Sequence, residues 1–417
     1  MTPEIKQRIE QIRRGEVPEG YVKTALGLAP ANWKRYTFGD IYTERKEPGD
    51  ENLPLLMVSI HSGVSDGEVD AAELPKQVKR IEDKSQYKKA VSGDLVFNMM
   101  RAWQGAIGTV RTTGMVSPAY IVAEPNDKVY PLFMDYYSRT PQMINQIDRQ
   151  SYGVTDFRKR LYWDSFAPIG CTLPPIEEQQ KIAAILTTQD KVIELKEKRL
   201  AEKQRQKKYF MQQLLTGKKR LPGFSGEWKK TKLKNILYER KTYSPKGLEY
   251  PHVTLSAEGI FPKSERYDRD HLVRDEDKEY KITHKGDICY NPANLKFGAI
   301  CENTFGDAIF SPIYVTFEVE ENICKEYIAN YLMRWDFINA VRKYEEGTVY
   351  ERMAVKPEDF LKFEIFLPQI EEQAAIAEVL STADREIELL QQDIEQEKQK
   401  KKALMQLLLT GIVRVKT

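Results

Sequence analysis

Side chains that could attack a substrate, pass a proton or hold a metal are few and scattered in this 417-residue chain. The four cysteines, Cys171, Cys289, Cys301 and Cys324, include no close pair. They read as free thiols of a cytoplasmic protein, not as disulfides or a zinc site. His61, His252, His271 and His284 have no ligand spacing and read as surface or core residues. The sequence has no phosphate-cradling loop ending in Gly-Lys-Ser/Thr, no paired nuclease carboxylates and no His/Cys cluster. What stands out instead is directed hydrogen-bonding chemistry in loops that occur twice. Arg101, Trp103 and Gln104 follow the Gly93-Asp94 turn and its strand; Asn291, Asn294 and Lys296 follow Gly286-Asp287. Each loop ends at a glycine, Gly105 or Gly298, where backbone can approach a ligand closely. An ordinary hairpin turn would use the same residues.

A second repeated loop offers Tyr152, Thr155, Arg158 and Lys159 in the first half, and Thr348, Tyr350 and Arg352 in the second. Arg158 and Arg352 occupy equivalent places, which suits a grip on a shared anionic feature such as phosphate. A salt bridge to the domain's own acids is the competing reading. A third, weaker site is the loop after the first strand, with His61 and Ser62 in one half and Ser256 in the other. Trp33 and Trp228, near the domain starts, read as core or docking residues.

The element that must position these loops is itself repeated. Leu173–Gly217 begins LPPIEEQ and ends LLTG; Leu367–Gly411 begins LPQIEEQ and ends LLTG. The two stretches align without a gap, and about half of their positions are identical, which marks an internal duplication. A proline near the start, paired acids in the first turn and no Gly or Pro until the closing glycine predict one long helix in each. A helix of about 35 residues at about 1.5 Å per residue spans about 50 Å. In the second copy Ile376, Leu380, Ala383, Ile387, Leu390, Ile394, Glu397, Lys401, Leu404 and Leu408 alternate at spacings of four and three, the seam of a coiled coil. The first copy keeps Ile182, Leu186, Ile193, Leu200, Phe210 and Leu214 but inserts Gln189, Lys196, Lys203 and Lys207. Residues 173–220 hold twelve Lys/Arg against six Asp/Glu, and residues 367–417 hold seven against nine. Opposite signs favour pairing of the two helices with each other, antiparallel if the halves are related by a twofold axis. Two independent helices, each lying on its own domain, is the alternative.

The composition sets outer bounds. Net charge is +2 and 41% of residues are hydrophobic, enough for two or three domains. Bulk charge therefore does not announce a nucleic-acid binder; positive charge would have to be concentrated on one face or supplied by partners. No apolar run is long enough for a membrane span, and Met1–Arg14 reads as a charged amphipathic helix, not a signal peptide. The predicted layout is a first globular domain over 1–172, a long helix over 173–217, a second domain over 218–366 and a second long helix over 367–417. Within each domain the repeats place β-type runs, then a helix at about 132–146 or 325–342, then the glycine loop. The expected class is α+β, two tandem α/β domains and an antiparallel coiled coil with pseudo-twofold symmetry.

These paired signatures, LP-x-I-E-E-Q and L-L-T-G at fixed separation with GEW after the first, closely resemble the specificity subunits of type I restriction-modification systems, over nearly the whole chain. The resemblance implies that each globular half reads one half of a split double-stranded DNA target. It implies that the helices act as a spacer on which two methyltransferase subunits dock, with restriction subunits joining. Because the halves differ in sequence, the half-sites should differ, giving an asymmetric bipartite target. Under that reading the loops above are the DNA-contacting candidates. The chain itself would be non-catalytic and bind no cofactor or metal; S-adenosylmethionine, ATP and magnesium would belong to partner subunits. Asn291-Pro292-Ala293-Asn294 has a faint likeness to the Asn-Pro-Pro-aromatic motif of amino-methyltransferases. It lacks the second proline and the aromatic, and no glycine-rich loop precedes it. The rival readings are a coiled-coil protein that bridges two partners through protein-binding globular halves, and an enzyme fused to its own recognition domains.

Overall fold

The structure, a computed structural model, describes residues 3–24, 27–50, 52–65, 86–153, 159–245, 250–263, 279–344 and 354–415. Both repeats form the helices their patterns demand: Ile176–Leu214 and Ile370–Leu409, of 39 and 40 residues. Each helix ends in the same way. The closing glycine takes a left-handed conformation, φ +69° at Gly217 and +73° at Gly411. The amides of Gly217 and Lys219 then satisfy the carbonyls of Leu214 and Gln213, and those of Gly411 and Val413 satisfy Leu408 and Leu407. This is why the repeated signature ends in glycine: a side chain at a left-handed C′ position is strained.

The chain divides into two compact units, residues 1–196 with 393–417, and residues 197–392. Each unit therefore contains a stretch of both long helices. In the first, Asp190 pairs with Lys401, Gln189 Nε2 donates to Glu397, and Lys196 bonds both Asp393 and Glu397. Partner numbers fall as helix numbers rise, so the pairing is antiparallel. Ile182, Leu186, Ile193, Ile394 and Leu408 are buried along this seam. In the second unit Lys203 pairs with Glu386 and Lys207 with Asp384, again antiparallel, and Leu214, Ile376 and Leu380 are buried. The lysines that interrupt the apolar stripe thus meet acids of the other helix. Such half-exposed pairs contribute about 0–1 kcal/mol each, so the buried aliphatic positions carry the association and the charges set its register.

The first unit's main sheet runs Tyr42–Glu44, Tyr120–Pro125, Leu95–Asn98, Ile107–Thr109, with antiparallel neighbours. The second unit's runs Leu237–Glu239, Val315–Val319, Ile288–Tyr290, Ile300–Glu302, the same order. A separate two-stranded ladder joins the strand entering each globular body to the strand leaving it for the long helix: Lys34–Thr37 with Gly170–Leu173, and Lys229–Lys232 with Glu364–Leu367. The equivalent Phe166 and Phe360 anchor the two cores, Phe166 against Phe38 and Phe97 in one unit and Phe360 against Tyr290 and Phe317 in the other. The helix expected over 132–146 is two helices, Pro131–Tyr137 and Pro141–Gln150. Pro141 cannot continue the first, and Thr140 caps the second by accepting from the Met143 amide. Its counterpart over 325–342 also breaks, into Lys325–Leu332 and Trp335–Val341. The interruption falls at Arg334, whose guanidinium binds Asp336 and the Leu215 carbonyl.

Two polar clamps recur. Arg45 grips Asp94 through two hydrogen bonds, and Arg240 grips Asp287 likewise, which fixes the Gly-Asp turns that feed the central strands. At the foot of each long helix a buried glutamate of the E-E-Q signature accepts from an indole and an arginine. Glu178 takes Trp33 Nε1 at 3.2 Å and Arg414 at 2.7 Å; Glu372 takes Trp228 Nε1 at 3.1 Å and Arg220. The adjoining glutamines, Gln179 and Gln373, accept from the backbone amides of Tyr130 and Cys324 and donate to Pro174 and Pro368. The second glutamate and the glutamine of each signature thus hold the globular body on its helix, while Glu177 and Glu371 are exposed.

Candidate nucleic-acid interface

In the first unit the chain leaves the central strand at Asn98 and turns through a 3-10 segment, Ala102–Gln104, to Gly105 at φ +103°. Asn98 Oδ1 accepts the Met100 amide at 2.9 Å and holds the turn closed. Arg101 and Gln104 are exposed on it, and Trp103 is half-buried with its indole donating to the Met100 carbonyl. Gly105 sits against the tip of a neighbouring hairpin: a Cβ there would lie 3.5 Å from the Ile60 carbonyl oxygen. That hairpin pairs Val58–Ser59 with Gly63–Val64 and carries exposed His61 and Ser62 at its tip. The flanks of the second repeated loop also meet this turn. The Leu161 amide donates to Met99 at 2.8 Å, Tyr152 and Arg160 form a backbone bridge, and Lys159 Nζ lies 5.6 Å from the Trp103 ring while bonded to Asp148. Tyr152 is exposed, its hydroxyl 3.4 Å from Ser165. Three loops far apart in sequence therefore share one edge of the unit, with Arg101, Gln104, His61, Ser62 and Tyr152 open to solvent.

The second unit repeats the frame with other side chains. Its turn, Leu295–Phe297, ends at Gly298 with φ +81°, beside Ala257 of the hairpin Val253–Ser256 with Gly259–Pro262. The Val355 amide meets the Pro292 carbonyl, as Leu161 meets Met99. Asn294 is exposed and Lys296 half-buried. Asn291 needs correction as a reader. It is 4% exposed, and its Oδ1 accepts the Ala293 and Asn294 amides at 3.1 and 3.3 Å, the turn-holding role of Asn98. Ser256 likewise holds its own turn by accepting the Glu258 amide, as Ser59 does for His61. Thr155, Arg158, Thr348, Tyr350 and Arg352 lie outside the described residues. The sequence reading missed Phe297, 63% exposed on the second turn. It stands where the first turn has Gln104, and aligning the two turns on their glycines would have found it.

The chemistry available on these edges is that of hydrogen-bond donors, cations and rings. Burial pushes the Cys171 and Cys301 thiols up to about 12 and raises Cys289 well above the ordinary thiol value, so they stay protonated and inert at neutral pH. Among the described residues no group of three His, Cys, Asp or Glu could hold a metal ion, and no helix is long and apolar enough to cross a membrane. Exposed loop side chains with directed donors, held on rigid turns, suit recognition of base edges, while cations beside them suit phosphate.

Comparison with known proteins bears on which recognition this is. The chain is 24% identical, over 80% of its own length and 83% of the relative's, to the type I restriction enzyme MjaVIII specificity subunit of Methanocaldococcus jannaschii. Its fold is similar to the crystal structure of the HsdS subunit from Thermoanaerobacter tengcongensis, with a TM-score of 0.50 at 17% identity, covering 92% of this chain and 98% of that one. It is also similar to the type I restriction-modification system S subunit from M. genitalium, with a TM-score of 0.54 at 10% identity and coverages of 93% and 97%. The family described as the type I restriction modification DNA specificity domain matches residues 72–204 and again 226–399. With most of its length accounted for by two copies of that domain, the chain belongs to the type I restriction-modification specificity family.

Proposed function

We propose that this specificity subunit reads an asymmetric, bipartite double-stranded DNA target, one half-site for each globular body. Residues 1–172 and 218–366 are the reading domains, and 173–217 and 367–417 form the paired helices on which two methyltransferase subunits dock. Restriction subunits join that complex in the cytoplasm. Methyl transfer and cutting occur on those partners, which hold S-adenosylmethionine, ATP and magnesium; this chain contributes no catalytic group. The observation that carries the reading is the pair of equivalent turns. Ala102–Gln104 and Leu295–Phe297 have one backbone frame and different exposed side chains, as two readers of different bases require.

Arg101 and Gln104 serve as base-edge or phosphate donors at the first half-site, Asn294 and Lys296 at the second, with Tyr152, Lys159, His61 and Ser62 flanking. Arg158 and Arg352, equivalent in the repeat, grip phosphate, and Thr155, Thr348 and Tyr350 accompany them. Selection from random-sequence DNA by the chain assembled with its methyltransferase partner tests this. A two-part motif with a fixed gap is the expected result. Absence of any enriched sequence would favour the rival, a coiled-coil bridge with protein-binding bodies.

A further inference from the structure

We infer that Phe297 is a specificity-determining residue of the second half-site, reading a thymine through its 5-methyl group in the major groove; this rests on the DNA-reading function proposed above. Single exposed apolar residues are common on protein surfaces. Phe297 differs in its placement. It is 63% exposed on the rigid 3-10 turn Leu295–Phe297, next to exposed Asn294 and half-buried Lys296. The turn is fixed from beneath by Asn291 and by the left-handed Gly298. The Trp335 ring lies against that glycine, 3.7 Å from where a Cβ would stand. In the first unit the same position is Gln104, an amide suited to adenine. One frame therefore presents a hydrogen-bonding reader in one unit and an apolar reader in the other.

The geometry selects the mode of contact. Lys296 Nζ sits 5.2 Å from the Phe297 ring centroid, over its face. A ring wedged between base pairs must offer both faces to the stack. A ring with an ammonium over one face offers its edge and its other face, which suits a methyl group beside it and a phosphate near the cation. Among the four unmodified bases only thymine presents such a methyl, and only in the major groove.

The experiment uses the full chain assembled with its methyltransferase subunits and the target found by mapping methylated adenines. The second half-site is the one that changes when residues 218–366 are exchanged. Each of its thymines is replaced in turn by deoxyuridine, which removes only the methyl group. At one position, loss of the methyl should weaken wild-type binding about fourfold, the effect of one buried methyl-sized group. The same change should leave Phe297→Ala unaffected and still weaken Phe297→Leu, which keeps an apolar contact. A second half-site without thymine, no methyl-sensitive position, or equal sensitivity in Phe297→Ala overturns the assignment while leaving the DNA-reading function intact. A wild-type complex that selects no sequence at all overturns both.

Discussion

The turn Ala102–Gln104 and the turn Leu295–Phe297 leave equivalent strands, close on equivalent glycines and rest beside equivalent hairpin tips, yet one displays Arg101 and Gln104 and the other Asn294, Lys296 and Phe297. At the polar clamps the two units keep side chains as well as backbone: Arg45–Asp94 matches Arg240–Asp287, and Trp33–Glu178–Arg414 matches Trp228–Glu372–Arg220. Buried charge tolerates no substitution without leaving a partner stranded, whereas an exposed turn tolerates any side chain its backbone allows. The clamps hold the frame and the turns carry the difference. A second contrast lies in delivery. Arg220 reaches its clamp from the linker just after the first long helix, eight residues before Trp228 in the same run of chain. Arg414 comes from the C-terminal tail, held by the Arg8 and Tyr21 side chains bonding the Ile412 and Gly411 carbonyls. The N-terminal segment does for the first unit what the covalent linker does for the second.

The strongest way to break this comparison is to exchange residues 1–172 for the first half of another family member. Affinity for the original first half-site should fall about a thousandfold, at about 1–3 kcal/mol for each changed base pair, while the second half-site stays as it was. Methylation mapping reads both at once, and a change in both half-sites would mean the units do not read independently. Next in size, Glu178→Ala should cost the first unit about 2–3 kcal/mol, less than the about 3–5 kcal/mol of a fully buried ion pair that loses one partner, since the Arg414 side chain keeps 31% of its exposure. Truncation after Ile412 should loosen the same unit alone. Hydrogen exchange resolved by unit checks this; equal loss of protection in residues 197–392 would deny that the tail serves one unit.

Arg101→Ala should weaken binding by about 1–3 kcal/mol and relax the first half-site only, if it reads a base. Arg158→Ala and Arg352→Ala should weaken binding to all sequences and each lower the salt slope by about one, leaving the preferred motif intact. An unchanged slope would place those arginines away from phosphate. The smallest effect concerns the first unit's helix pair. Hydrogen bonds from Lys196, Gln189 and Lys400 hold the Glu397 carboxyl at about 2, below the usual 4.5. A depressed carboxyl stabilises the fold above its unfolded value and ceases to as pH falls from about 4.5 through about 2. Acid should therefore loosen this helix pair over that window, and Glu397→Gln should flatten the dependence in circular dichroism melts.

Much of the molecule was legible because repetition exposes it. The helices, their seam and their stops follow from spacing, since a periodic apolar stripe has one helical solution. The repeated Gly-Asp turns and the paired loops were visible by alignment alone. Asn291 was misjudged because its residue type suits both base reading and turn closure, and burial decides between them. The break at Pro141 was written in the sequence, in a proline that a helix drawn over 132–146 cannot run through. The role of the E-E-Q signature was legible only as helix-start acidity, because the indole and guanidinium that bury Glu178 come from positions 145 residues earlier and 236 later.

The sequence by itself determined the duplication, the two long helices and the loops that differ between the halves. All of these are local patterns or comparisons of one stretch with its copy. Only the tertiary structure decided which of those loop side chains face solvent. Only it brought the hairpin tip, the turn and the glycine-loop flank to one edge, and set Trp33 and Arg414 together on Glu178. Such contacts are made between residues distant along the chain, and their geometry is fixed by the packing of the sheet core, for which the linear order of residues carries no coordinate.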